Sequence, residues 1–139
     1  MQCRFEFDER PERLKALTVL QPWAWAIAAG HKRVENRTWA TGYRGPLAIH
    51  AGKSDRMLAL GREFLERRGV IVPADNDLVY GAVIAVATLV DCVPADDASS
   101  DPWAFGPWCW RLADVRALDV PVSCRGRQNL FAVELPRRA

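Results

Sequence analysis

Apolar and polar positions divide this chain into short strands and two helices. Lys15–Leu20 (KALTVL) reads as a first strand. Gln21-Pro22 opens a helix, with Pro22 in the first turn, where its missing N–H costs nothing. The apolar run that follows stops at Gly30, a natural left-handed cap. Val34–Trp39 alternates as a second strand, with Val34 and Asn36 on one face and Glu35 and Arg37 on the other. Thr41–Pro46 is a turn by composition, and Leu47–Ala51 a buried strand carrying His50. A second helix is predicted over Asp55–Arg68, capped by Ser54 or Asp55, with an apolar stripe through Met57, Leu58, Leu60, Phe64 and Leu65. Val79–Cys92 is the strongest strand signal, rich in β-branched residues. Pro94–Pro107 reads as a long loop, Trp108–Leu112 as a strand, and Ala113–Leu118 as a turn or short helix. Pro121–Gln128 reads as a basic turn and Asn129–Leu135 as the final strand. The pattern predicts an α+β fold: a small β-barrel with helices packed at its ends. It forms one domain over residues 15–139, after a flexible arm at 1–14.

Composition narrows the function only slightly. Half of the 139 residues are hydrophobic, enough for a core without staples. The net charge is +2, so a nucleic-acid role needs a local patch and not bulk charge. Cys3, Cys92, Cys109 and Cys124 form no CxxC pair, which argues against a zinc site; no metal or cofactor is expected. The charged N-terminus and the lack of a long apolar run point to a cytoplasmic protein outside the membrane. Six tryptophans fall in two groups, Trp23, Trp25 and Trp39, then Trp103, Trp108 and Trp110. Most belong in a core, with one or two at a cleft where a flat ring can stack.

The most organised chemistry lies in Gly30-His31-Lys32-Arg33-Val34-Glu35-Asn36-Arg37. Lys32 follows a helix C-terminus, whose dipole favours a cation. Glu35 and Arg37 share a strand face. They form either a surface ion pair worth about 0–1 kcal/mol or a rigid cleft pair, in which Arg37 offers its planar fork to phosphate or base. His50 is either a hydrogen-bonded core residue or a reserve acid–base group. Arg44, Lys53, Arg125 and Arg127 are either ordinary surface charge or a basic rim.

The segment LTVLQPWAWAIAAGHKRVENRTWATGYRGPLAIHAGKS resembles the ASCH domain, a branch of the PUA-like superfamily. Gly30, Lys32, Glu35 and Arg37 fill the family pattern G-x-K-x-x-E-x-R. The preceding Gln-Pro-Trp, the Tyr43-Arg44-Gly45-Pro46 turn, the His50-Ala51 strand end and the later Gly81-Ala82-Val83-Ile84 also fit. The resemblance covers roughly Lys15–Leu135. It implies a PUA-like mixed β-barrel of about five to six strands with two or three flanking helices. It implies a cleft lined by the motif, and binding of RNA or another nucleic acid or nucleoside. Some relatives are amidohydrolases of N4-acetylcytidine. They share the motif lysine but also use a threonine three residues on and a glutamate on the long strand. Here Glu35 stands in the threonine's place, and Gly81–Val90 holds no carboxylate.

The leading expectation is an RNA-binding module whose ligand meets Gln21, Trp23, Lys32, Glu35, Arg37, Trp39, Tyr43, Arg44, His50 and Lys53. Trp23, Trp39 or Tyr43 would supply the stacking surface. The alternative is a hydrolase of a modified nucleoside or of RNA phosphodiesters, with Lys32 and Glu35 as the acid–base pair. A protein partner docking on the 94–107 loop is the third reading.

Overall fold

The computed structural model describes residues 10–137. The first nine residues of the expected arm lie outside them. Among the described residues six strands form one mixed sheet: β1 (Glu12–Val19), β2 (Val34–Arg37), β3 (Gly45–Ala51), β4 (Ala82–Pro94), β5 (Trp108–Ser123) and β6 (Phe131–Leu135). The strand order is β2-β5-β4-β3-β1-β6. Only β1 and β3 run parallel, and the chain between them carries the first helix, α1 (Trp23–Ala28), as the crossover such a pair requires. The second helix, α2 (Leu58–Arg67), connects β3 to β4.

The alternation of β1, β3 and β4 sends their side chains into two cores. Leu17, Val19, Leu47, Ile49, Ala87, Leu89 and Trp110 pack on one face against Ala24 and Ile27 of α1. Leu14, Ala16, Ala48, Val83, Val86, Val133 and Leu135 form a second cluster on the other face. The near-continuous apolar character of β4 follows from burial on both faces.

The predicted barrel is a curled mixed sheet among the described residues. No ladder joins its edge strands β2 and β6. Curvature is visible in a side-chain bridge instead: the Arg37 guanidinium on β2 donates to the Thr18 carbonyl on β1, although three strands separate them in the sheet order.

Four local expectations are corrected. Ala113–Leu118 is neither turn nor helix, and the basic turn does not begin at Pro121, because both stretches belong to the 16-residue β5. Its ladder with β4 shifts register three times, and Asp114 takes φ +51°, so irregular pairing masks the alternation. Helix α2 begins at Leu58 with Met57 as N-cap and no side-chain cap. Ser54 accepts instead from the Arg56 N–H at 3.3 Å. The first strand starts at Glu12, ahead of the predicted Lys15, because residues 12–16 pair with β6.

Candidate functional site: a charged and aromatic cleft

Gly30 adopts φ +87°, which lets the chain reverse directly after α1. The backbone N–H groups of His31 and Lys32 then return to the Ala26 carbonyl at 2.9 and 3.0 Å. This fold-back aims Lys32 across the start of β2. Its ammonium donates to the Val34 carbonyl, lies 3.4 Å from Glu35 Oε1, and sits 5.7 Å from the Trp23 ring centroid. Glu35 Oε2 is 3.1 Å from Arg37 Nε, so one carboxylate bridges two cations. The Arg37 Nε–H lacks hydrogen-bond alignment, so that contact is a charge pair.

Lys32 is 4% and Glu35 8% exposed, whereas the Arg37 side chain keeps 25% of its surface. The triad is therefore a largely desolvated network and not a surface ion pair. Such networks are costly to break because the remaining charge is stranded.

A cleft of about 820 Å³ opens above this triad. Its floor includes Thr18, Lys32, Glu35 and Arg37, and one wall is formed by Leu60, Glu63, Phe64 and Arg67 of α2 with Arg56 and Arg68 flanking its ends. The 94–107 segment contributes Trp103 and Phe105. Phe64 is the hub of the aromatic lining: Trp23, Trp103 and Phe105 meet it edge-to-face at 5.3, 5.6 and 5.8 Å. The Arg68 guanidinium lies 3.4 Å from the Phe64 centroid, in cation–π contact. Five cationic side chains and two carboxylates line the cleft, a local balance of +3. The whole chain carries only +2. Positive charge is thus concentrated where apolar rings are also presented.

The wall is held by close packing. A Cβ on Gly61 of α2 would lie 2.5 Å from Pro22 Cδ, so glycine permits α2 to rest on the Pro22–Trp23 corner. Asn36 points away from Glu35 and Arg37 and anchors the 94–107 segment. Its Oδ1 accepts from the N–H groups of Phe105 and Gly106, both at 2.8 Å, and its Nδ2 donates to the Trp103 carbonyl at 3.0 Å.

Of the residues singled out in the sequence, Trp23, Lys32, Glu35 and Arg37 come together in the cleft. Gln21 is buried and does not line it. Its Oε1 accepts from the Trp25 N–H and its Nε2 donates to the Val79 carbonyl, both at 2.8 Å. His50 is 1% exposed, with Nδ1 3.1 Å from Thr18 Oγ1 and Nε2 2.8 Å from the Cys124 carbonyl. Trp39 packs edge-to-face on Trp110. Tyr43 donates to the Pro46 carbonyl at 2.6 Å, and Arg44 pairs with Asp91 at 3.6 Å. Lys53 lies along Gly81. None of these last five lines the cleft. Motif spacing does not point to Asn36, Phe64, Trp103, Phe105, Arg67 or Arg68. The aromatic content of the 94–107 segment was the available signal for two of them.

Among the described residues no three His, Cys, Asp or Glu side chains are grouped to hold a metal ion. No helix there is long and apolar enough to cross a membrane.

Comparison with known proteins adds family membership. The ASCH domain family matches residues 17–121. Activating signal cointegrator 1 of Homo sapiens is 35% identical over 92 residues, covering 63% of this chain and 16% of the relative. The Mus musculus protein of the same name is 36% identical over 92 residues, with the same coverage. The chain therefore matches only a small part of these curated relatives. The family match embraces α1, the Gly30–Arg37 motif, α2 and the strands that frame the cleft, and the chain accordingly belongs to the ASCH domain family of the PUA-like superfamily.

Proposed function

We propose that this protein is an RNA-binding module and that the cleft above Lys32, Glu35 and Arg37 is where the strand is held. The observation that carries this reading is the concentration of a +3 balance and four aromatic side chains around one 820 Å³ opening. A polyanion with flat bases matches both features. Exposed arginines supply phosphate contacts, and rings supply sequence-tolerant stacking. The volume suits a nucleotide or two of single strand, so the footprint is short.

Binding is favoured over hydrolysis by the state of Lys32. Its ammonium is already engaged by the Val34 carbonyl and Glu35, and both Glu35 oxygens face cations. That arrangement fixes the guanidinium of Arg37 more than it frees a proton carrier.

Titration of single-stranded RNA and DNA across ionic strength tests the proposal. The expected result is binding at low salt that weakens with a modest log–log slope, about −1.5 to −3 for two to four phosphate contacts. Absence of charge-dependent binding to either strand would overturn it.

A further inference from the structure

We infer that Phe105, held at the cleft lip by Asn36, is the platform on which an unpaired base of the bound strand stacks. The inference rests on the proposed RNA-binding function and goes beyond it by assigning the residue on which a base stacks.

Phe105 lines the cleft yet is 62% exposed, so most of its ring faces solvent. The other rings are more committed. Trp23 lies against Phe64 and near the Lys32 ammonium. Phe64 carries the Arg68 guanidinium 3.4 Å from its centroid. Phe105 meets Phe64 at 5.8 Å and 79°, and most of its surface remains open to solvent.

Its backbone, by contrast, is fixed. The Asn36 carboxamide receives the Phe105 and Gly106 N–H groups at 2.8 Å and donates to the Trp103 carbonyl at 3.0 Å. Gly106 itself adopts φ +70°, and a Cβ there would lie 2.6 Å from the Ala95 Cβ. The ring is therefore presented on a preorganised segment, which lowers the entropic cost of capturing a ligand. Stacking on this ring requires a base with a free face. A base-paired duplex stacks its faces internally, so the fitting ligand is single-stranded and next to the cations on α2.

The test compares a short single-stranded RNA with an abasic strand of equal length and phosphate number. The wild-type protein should prefer the base-bearing strand by roughly 5- to 100-fold, the range of one stacked base. Phe105→Ala should lose that preference while keeping the salt slope, and Phe105→Trp should keep the preference. Asn36→Ala, a change in a positioning residue, should reduce the preference without altering the salt slope. The same sequence as a duplex should bind more weakly than the single strand. If wild-type protein binds with charge dependence but Phe105→Ala discriminates equally well, the assignment of Phe105 is overturned and the RNA-binding proposal stands. Equal binding of base-bearing and abasic strands by wild type would also overturn it. If wild type shows no charge-dependent binding, both fall together.

Discussion

Glu35 is the residue on which the charged triad depends. It stands between Lys32 and Arg37, at 3.4 and 3.1 Å, and is itself 8% exposed. Removing its charge leaves two cations facing each other with little solvent. Removing Lys32 leaves Glu35 still paired with Arg37. Glu35→Gln should therefore destabilise by about 3–5 kcal/mol, and Lys32→Met by clearly less. Urea denaturation of the two variants measures this, and a larger loss for Lys32→Met would contradict the assignment. The sequence made the shared face of Glu35 and Arg37 visible, since a strand alternates with period two. It did not reveal burial, because nothing in the octet shows that α1 and β2 enclose Lys32. Asn36 was legible only as the opposite-facing neighbour. Its three bonds to a segment about 70 residues away are a tertiary fact. The thiols obey the same logic of burial. Desolvation pushes the Cys109 and Cys124 thiols up from their ordinary value. Both should remain protonated at neutral pH and be alkylated more slowly in the folded protein than after denaturation, which iodoacetamide labelling with mass spectrometry would measure.

At the scale of elements, α2 owes its position to one glycine. Alanine at an ordinary helix site is favoured over glycine by about 1 kcal/mol. At Gly61 the new methyl would meet Pro22 Cδ at 2.5 Å and Pro22 Cγ at 2.7 Å. The steric term should win. Gly61→Ala is expected to lower stability by about 1–3 kcal/mol and shift α2, and with it Phe64 and Arg68, away from the cleft floor. Thermal unfolding and Trp23 fluorescence would read both effects, and a stabilised variant would contradict the packing. Elements with a clean pattern were legible: β1, β3, β4 and α1 all follow from apolar runs bounded by Gln-Pro, Gly or turn residues. Strand β5 was not. From Arg111 onward it mixes Arg116, Leu118 and Ala117, which favour helices, with Asp114 at positive φ and three register shifts, so neither periodicity survives in the sequence. Long-range pairing with β4 overrides the local preference.

For the whole molecule, the mild charge of +2 conceals an uneven distribution. The cleft gathers arginines from α2 and its flanks next to the motif triad, and the curled sheet brings β2 within reach of β1 through Arg37. The fold family was readable from the Gly30–Arg37 octet and its flanks, and the match over residues 17–121 agrees. The walls of the cleft were not readable, because α2 and the 94–107 segment meet over Phe64 only in three dimensions. In the proposed function this cleft, and not charge in general, holds RNA. Charge reversal separates the two. Arg67→Glu with Arg68→Glu alters the cleft wall, whereas Arg13→Glu with Arg116→Glu makes the same change in net charge at exposed positions outside it. The decisive measurement is the affinity of both double variants for one single-stranded RNA at low salt. RNA held in the cleft should cost the cleft pair more than about tenfold in affinity, with a reduced salt slope, and leave the remote pair near wild type. Equal losses in the two variants would contradict it.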